Sequence, residues 1–515
     1  MKENLNETNP ARICVPVCVE RASELGSIIA RAAECADLIE LRLDCLAQDE
    51  LDEAVRQLPA LFHSHAHPFI ITLRPRAEGG AFENDLHSRA SIFSKWFNST
   101  NDNKVFADIE LDLALDLVER DELDWSRVIC SHHDFARVPA DLEKIYERMS
   151  GTPARILKIA VQAETVTDCL RIFQLLERAQ GEGREMIAVA MGVAGMMTRV
   201  LATSRGAFLT YGASDTEHTT APGQLGAFAL RDLYRIKTHN SQTEIVGLVG
   251  SPVNHSLSPQ IHNAAFAACI LNSVYLPFEV RDVDDFMRRM AHPRTRELDW
   301  NLRGLSVTAP HKSAVIQHLD HLDAAAQEMG AVNTIVVRDD ALFGYNTDAA
   351  GFIAPLREMF GELRDARCAV IGAGGASRSA LWSLRAAGAQ ATIYARDTQR
   401  ARQLAETFGA GCVQLEGASF DGFDVVINAT PLGTSGALQN ETAATAAQLR
   451  GVRLAYDLVY NPVETRFLLE AQSANCATLG GLKMLVGQAA VQFKLWTGKD
   501  APLSIMQQAA EKAIA

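Results

Sequence analysis

A lysine stands inside the apolar run "PARILKIAVQAET", residues 153–165. A lone Lys158 would pack its stem on apolar surface and send its ammonium to water or a carboxylate. Other runs of the same kind, however, also end in polar residues. Glu40 and Arg42 lie in "ADLIELRLD", Arg74 ends "FIITLR" with Glu78 just after it, and His132 and His133 lie in "RVICSHHD". Arg199 follows "EMIAVAMG", and Thr220, Pro222, Gly223 and Gln224 follow "AFLTYG". These residue types fit one chemistry. A desolvated lysine gives up its proton more easily, and the neutral amine condenses with a ketone to form an imine. The protonated imine is an electron sink, so a proton two bonds away becomes acidic. A histidine can take that proton and return it to a leaving hydroxyl, while arginines hold a carboxylate in a bidentate fork. The expected reaction is imine-assisted loss of water from a hydroxylated keto acid.

A second set of reactive residues follows in the other half of the chain. "GSPVNHSLSPQIHNAAF" supplies Ser256 and Ser258, "GLSVTAPHK" supplies Thr308 and Lys312, "GAVNT" supplies Asn333, and "GYNTDAAGF" supplies Asp348. A lysine and an aspartate together can pass a proton to or from a carbon-bound oxygen while hydride moves on the other face; an ordinary salt bridge is the plainer reading of the same pair. In "RCAVIGAGGASRSALWSLRAAGAQATIYARD" a strand runs into Gly372, Ala373, Gly374, Gly375 and Ala376, then a helix, then another strand. That is the context of a dinucleotide-binding turn, although the spacing is G-x-G-G and a tight structural turn would look similar. An acidic residue ending the second strand would favour NAD. Ala395 stands there, followed by Arg396 and then Arg400, which favours the 2′-phosphate of NADP. Asp397 pulls the other way unless it caps the next helix.

These residues need elements to position them. Eight short apolar runs, "RICVPVCV", "ADLIELRLD", "FIITLR", "KVFADIELD", "RVICSHHD", "ARILKIAV", "EMIAVAMG" and "AFLTYG", alternate with segments of helical periodicity such as "ASELGSIIARAAEC" and "VTDCLRIFQLLERAQ". Such alternation implies a parallel sheet, and eight units over residues 12–238 have the size of a (β/α)8 TIM barrel, whose active site lies at the C-terminal strand ends. A doubly wound open sheet is the other architecture with this pattern. The seam falls in "RIKTHNSQTEIVGLVG", and no long linker separates the halves.

Composition narrows the class. A net charge of -14 offers no basic field for nucleic acid. No apolar stretch is long enough to span a bilayer. The N-terminus "MKENLNETNPARIC" reads as neither a secretory nor an import signal, so a cytoplasmic location is expected. The ten cysteines show no C-x-x-C and no metal spacing, which fits reduced thiols and no metal site.

The first half resembles the type I 3-dehydroquinate dehydratases in "ELRLD", "TLRPRAEGG", "SHHDF", "LKIAV" and "APGQ". The resemblance implies Lys158 as the Schiff-base lysine, His133 rather than His132 as acid/base, and Glu78 as the carboxylate orienting it. Glu40, Arg42, Arg74, Arg199, Thr220 and Gln224 would hold the substrate. Thr220 stands where serine is common. The second half resembles shikimate dehydrogenase, adding "NAT" at 428–430, "YDLVYNPVET" at 456–465 and "GLKMLVGQAA" at 481–490. That resemblance implies Lys312 and Asp348 as the catalytic pair. It implies Ser256, Ser258, Thr308, Asn333 and Gln488 as substrate contacts, and the Gly372 turn, Arg396, Arg400, Asn428 and Thr430 as NADP contacts. Ser306 stands where asparagine is common, and Lys483 where glycine is common. The implied architecture is an open α/β substrate domain, 243–346 with 480–515, and an inserted Rossmann domain, 347–479. Together the halves imply 3-dehydroquinate to 3-dehydroshikimate, then NADPH-dependent reduction to shikimate. An NAD-dependent catabolic fusion and a non-catalytic metabolite sensor are the alternatives.

Overall fold

The computed structural model describes residues 11–83, 86–99, 102–120, 123–214, 221 and 223–514, so Thr220 and Pro222 lie outside the described residues. The chain forms two compact units. One holds the residues up to Glu244 with Phe278–Met290 and Glu297–Asn301; the other holds Ile245–Pro277, Ala291–Arg296 and Leu302–Ala515.

In the first unit all eight apolar runs are strands: β1 (Ile13–Val17), β2 (Leu38–Arg42), β3 (Phe69–Thr72), β4 (Val105–Glu110), β5 (Val128–Asp134), β6 (Ile156–Gln162), β7 (Glu185–Met191) and β8 (Thr210–Tyr211). They lie in the order β7-β6-β5-β4-β3-β2-β1-β8, and all seven neighbouring pairs are parallel. β8 is only two residues long. Beside it, the Phe208 N–H donates to the Met186 carbonyl on β7, so the sheet is a nearly closed, TIM-like barrel. Continuous burial along these strands suits a sheet covered on both sides. The helices cover it with one apolar stripe each: in Leu142–Ser150 the buried residues are Leu142, Ile145, Tyr146 and Met149, the i, i+3, i+4, i+7 pattern of one face.

Alternation along the strands sorts the barrel interior into layers. Cys14, Leu38, Ile70, Phe106, Ile129, Ile156 and Ile187 form an apolar floor, with one residue from each of seven strands. Two residues further along β2 to β6, the same face carries Glu40, Thr72, Asp108, Ser131 and Lys158, all buried. The polar layer sits toward the C-terminal ends. One expectation fails here: Cys18, just past β1, and Cys45, just past β2, form a disulfide. The parallel pairing of β1 and β2 brings their C-terminal ends side by side, with Cα atoms 5.5 Å apart, a proximity that scattered spacing does not reveal. The other eight cysteines are free.

The second unit contains two sheets. β9 (Glu244–Gly250), β10 (Ser273–Glu279), β11 (Leu302–Val307), β12 (His321–Leu322), β13 (Thr334–Arg338) and β14 (Ala341–Tyr345) form a mixed sheet in the order β10-β9-β11-β13-β14-β12. β15 (Arg367–Ile371), β16 (Gln390–Ala395), β17 (Gly411–Gln414), β18 (Val425–Asn428), β19 (Leu454–Asp457) and β20 (Ala477–Leu479) form a parallel sheet in the order β17-β16-β15-β18-β19-β20. This is the Rossmann order, in which the strand sequence reverses direction between β15 and β18 and a crevice opens at their C-terminal ends. The helix Leu482–Thr497 packs with the mixed sheet's core through Val486, Ala489, Phe493 and Trp496.

Candidate active sites

The barrel's polar layer converges on one cavity lined by Glu40, Arg42, Arg74, Glu78, His133 and Lys158, with Arg199, Tyr211 and Gln224 completing the wall. Lys158 is 4% exposed. Its Nζ lies 2.7 Å from Asp108 Oδ2 and 3.6 Å from Glu40 Oε1, and 4.5 Å above the Tyr211 ring. Register explains the grouping: Ser131 on β5 stands level with Lys158 on β6 and with Glu110 on β4.

His133 and Glu78 form a pair. The ring Nδ1 is 3.0 Å from Glu78 Oε2, and the same oxygen accepts from the His133 backbone N–H at 3.2 Å. Burial pushes Glu78 up to about 8 against the pull of Arg74. Burial, helped by the charges of Arg74 and Lys158, holds His133 well below the usual imidazole range. The unprotonated ring is therefore available as a base. His132 is only partly buried on the other side of β5, near Asp134, Asp112 and Arg148, so alternation separates the two histidines as expected.

Arg74 is held by carboxylates, 2.8 Å from Asp108 and 3.0 Å from Glu110, and donates to Ser131 Oγ at 2.8 Å. Burial works against its charge, but Asp108, Glu110, Glu78 and Glu40 outweigh it and raise its pKa. Arg42 reaches the cavity with its fork engaged by Asp44 at 2.9 and 2.8 Å. Arg199, on the short helix Met196–Leu201, is 1% exposed and is lowered to about 10 by burial. Sequence reasoning missed Asp108, Glu110 and Tyr211. A signal existed for the first two, since "VFADIE" places carboxylates two residues apart on one face of an apolar strand.

In the second unit, Lys312 Nζ lies 2.5 Å from Asp348 Oδ2. Asp348 opens the helix Asp348–Phe360, and its other oxygen accepts from Asn333 Nδ2 at 2.7 Å. Asn333 is itself fixed: its Oδ1 accepts from the Thr347 N–H and from Thr334 Oγ1, both at 2.8 Å. The pair faces a large cavity also lined by Ser256, Ser258, Thr308, Gln488 and Tyr460. Ser256 Oγ is 3.1 Å from Ser258 Oγ. Ser306, for which the sequence offers no role, lies in the floor. It accepts from Tyr275 OH at 2.8 Å and donates to Gln492 Oε1 at 3.1 Å. Gln492 Nε2 in turn donates to Thr334 Oγ1 at 3.0 Å. A buried chain of hydrogen bonds thus runs from Tyr275 to Asn333. Lys483 is half exposed, with Nζ 3.6 Å from Glu358.

The glycine turn leaves β15 at the sheet's switch point, where Ile371 stands level with Asn428. Gly372 has φ +112°, and a Cβ there would lie 3.0 Å from the Ala429 carbonyl. Gly374 and Gly375 would meet nothing within 4 Å. That open concavity, over the N-terminus of the helix Gly375–Ala386, fits a pyrophosphate. Ala376 lines the large cavity, while Ala373 packs against the Rossmann core. Asn428 Oδ1 accepts from the Thr430 N–H at 3.0 Å and its hydroxyl at 2.6 Å, fixing the strand end beside the turn. Arg396 and Arg400 are exposed beyond β16. Asp397 accepts from the Arg400 N–H at 3.1 Å, so it caps the helix Thr398–Phe408. The open turn and the helix N-terminus behind it fit the pyrophosphate of an NADP molecule.

Residues 13–241 match the type I 3-dehydroquinase family. Residues 248–335 match the shikimate dehydrogenase substrate-binding domain, 355–460 the shikimate/quinate 5-dehydrogenase family, and 481–511 the shikimate 5′-dehydrogenase C-terminal domain. A chloroplastic bifunctional 3-dehydroquinate dehydratase/shikimate dehydrogenase of Arabidopsis thaliana is 32% identical over 98% of this chain and 85% of its own length. An NADP(+) shikimate dehydrogenase of Moorella thermoacetica is 40% identical over 53% of this chain and 95% of its own. A crystal structure of shikimate dehydrogenase in complex with NADP+ is 36% identical, with a TM-score of 0.50, covering 54% of this chain and 97% of that one. With its barrel and its dehydrogenase unit both matched, the chain belongs to the bifunctional 3-dehydroquinate dehydratase/shikimate dehydrogenase family.

Proposed function

We propose that the barrel cavity dehydrates 3-dehydroquinate through an imine on Lys158, and that the second cavity reduces the product, 3-dehydroshikimate, to shikimate with NADPH. The observation that carries the reading is the buried Lys158 sharing one cavity with the His133–Glu78 pair. In this mechanism Lys158 Nζ attacks the substrate ketone and water leaves. His133 takes the proton from the carbon beside the iminium and returns it to the departing hydroxyl, and water then hydrolyses the product iminium, restoring the ketone and freeing Lys158. Glu78 orients the ring. Arg199, Gln224, Arg42, Arg74 and Glu40 bind the carboxylate and hydroxyls, with Thr220 supplying a further hydroxyl.

In the second site NADPH, when bound, supplies hydride. Lys312 delivers the proton to the carbonyl oxygen, and Asp348 holds Lys312 in place and relays the charge. Ser256, Ser258, Thr308, Asn333 and Gln488 bind the substrate. Gly372 to Ala376, Asn428, Thr430, Arg396 and Arg400 bind the cofactor. The proposed boundaries are 12–238 for the barrel, 243–346 with 480–515 for the substrate domain, and 347–479 for the cofactor domain. Among the described residues no helix is long and apolar enough to cross a membrane. A cytoplasmic location accords with the eight free thiols, and the Cys18–Cys45 disulfide is the one observation against it.

The test is direct. Enzyme given 3-dehydroquinate and NADPH should lose reduced-nicotinamide absorbance and form shikimate. Borohydride added with 3-dehydroquinate alone should place substrate mass on the peptide carrying Lys158. Consumption of 3-dehydroquinate with no such adduct would overturn the imine assignment.

A further inference from the structure

Asp108 has no part in the roles assigned so far, yet it is the group closest to the reacting nitrogen. It is fully buried on β4, with Oδ2 2.7 Å from Lys158 Nζ and Oδ1 2.8 Å from Arg74 Nη2. Glu40 is the other nearby carboxylate, but it is 3.6 Å away and its Oε1 accepts from Thr72 Oγ1 at 2.6 Å. Glu40 also lines the cavity, whereas Asp108 does not. Asp108 therefore stands behind Lys158 and leaves the nitrogen's open side to the substrate.

Resting on the imine reading above, we propose that Asp108 is a catalytic residue of the barrel: the fixed counter-ion of the Lys158 nitrogen, as ammonium at rest and as iminium in the reaction. The charge balance favours one fixed anion. The ammonium gives up a proton to attack the ketone, and the carbinolamine takes a proton back as its hydroxyl leaves as water, so the nitrogen carries one positive charge before and after the whole exchange and a C–N double bond replaces the C–O double bond. When His133 takes the adjacent proton, the electron pair moves to nitrogen as the neutral enamine. Asp108 then keeps its pairing with Arg74 and is not left as an unpaired buried anion. As hydroxide leaves with the proton from His133, the iminium returns to a counter-ion already in place, at no cost in reorganisation.

Every neighbouring element contributes to the field at this point. β2 brings Glu40, the end of β3 brings Arg74, and β5 brings His133. On β4 itself Glu110 pairs with Arg74 and Arg89. Cys14 on β1 and Tyr211 on β8 are both pushed up by burial and stay neutral, and Glu78 approaches through Arg74. Burial opposes the Asp108 charge, but Arg74 and Lys158 hold the group well below the ordinary carboxylate range, so it remains an anion across the working range.

The test compares native enzyme with Asp108→Asn and Asp108→Glu. Dehydrogenase activity and the thermal transitions report folding. Asp108→Asn should lower dehydratase kcat by about 100-fold, the scale of losing one preorganised electrostatic partner. Its borohydride-trapped adduct should also disappear at lower pH than in native enzyme, because the iminium has lost its anion. Asp108→Glu should keep the native pH limb at reduced kcat. If native enzyme traps substrate and Asp108→Asn does so with the same kcat and the same pH limb, the counter-ion role is overturned while the imine stands. If native enzyme traps nothing, the imine reading fails and this inference with it. Should Asp108→Asn lose the barrel's thermal transition, native enzyme decides. A buried counter-ion requires trapping to persist well above neutrality, and a yield falling around neutrality overturns the role.

Discussion

Replacing Ser306 by alanine tests whether the hydrogen-bond chain beneath the dehydrogenase cavity acts as a unit. Ser306, Tyr275 and Gln492 are 4%, 0% and 2% exposed, although Ser306 and Gln492 also border the large cavity. Ser306→Ala removes the acceptor 2.8 Å from Tyr275 OH and the donor 3.1 Å from Gln492 Oε1. A buried polar group left without its partner costs about 1–3 kcal/mol. Ser258 also interacts with the Tyr275 hydroxyl and offsets part of one loss. His262 likewise interacts with Gln492, so both losses are partly offset and the expected destabilisation is about 1–2 kcal/mol. Urea unfolding followed by loss of dehydrogenase activity measures it. Tyr275→Phe removes the phenol in advance, so Ser306→Ala in that background should cost less by at least about 0.5 kcal/mol, the signature of contacting residues. Gln492 also holds Thr334, which donates to the Asn333 that grips Asp348. The shikimate KM should therefore rise while dehydratase activity is unchanged. A Ser306→Ala cost under about 0.5 kcal/mol, additive with Tyr275→Phe, would refute the reasoning.

Gly372→Ala forces an L side chain into φ +112° with its Cβ 3.0 Å from the Ala429 carbonyl; it should cost about 1–3 kcal/mol, seen as a lower melting transition and a raised NADPH KM with normal dehydratase rate. Arg396→Ala should weaken NADPH binding about 10-fold or more, the worth of a charge-assisted hydrogen bond, and leave NADH binding unchanged; equal losses for both cofactors would make the residue structural. Dehydratase kcat/KM should rise as pH passes about 8, where Glu78 ionises and takes the His133 Nδ1–H, freeing Nε2 as base; Glu78→Gln should abolish that limb. The sign for stability is opposite: a carboxyl raised on folding contributes fully below its unfolded value and loses that contribution as pH rises through about 8, so the barrel's melting temperature should fall over that interval in native enzyme and not in Glu78→Gln.

The barrel was legible because its information is local. Each strand is a short apolar run, and the polar residues ending those runs converge once the strands lie parallel. The parts that were not legible depend on register and on distant partners. Asp108 lies inside β4 rather than at its end, and only the alignment of β3 to β6 sets it between Arg74 and Lys158. Cys18 and Cys45 are 27 residues apart, and their bond follows from the adjacency of β1 and β2. Ser306 acquires its role from Gln492, 186 residues later. Asp397 was ambiguous between a ribose ligand and a helix cap until its contact with the Arg400 N–H decided for the cap.

The two sites place the same pair of residues in different surroundings, and the surroundings set the chemistry. Lys158–Asp108 and Lys312–Asp348 are both close pairs, at 2.7 and 2.5 Å. The Lys158 side chain is 5% exposed and its aspartate 0%. The aspartate's other oxygen is pinned by Arg74, so in the proposed mechanism its charge would stay in place while the nitrogen forms and breaks bonds to carbon. The Lys312 side chain is 26% exposed and its aspartate 12%. There the second oxygen accepts from the neutral amide of Asn333 rather than from a second cation, and in the proposed mechanism water would replace the proton that Lys312 gives away. A covalent nitrogen needs a dry site and an unchanging anion; a turnover proton needs a path to solvent. Exchanging the second partner should move each pair toward the other's behaviour. Arg74→Gln should loosen Asp108 and lower imine trapping even with the substrate saturating. Asn333→Asp should set a second carboxylate against Asp348 and move the dehydrogenase pH profile upward. A dehydrogenase pH profile unmoved by Asn333→Asp, with folding intact, would mean that the second partner does not govern proton release.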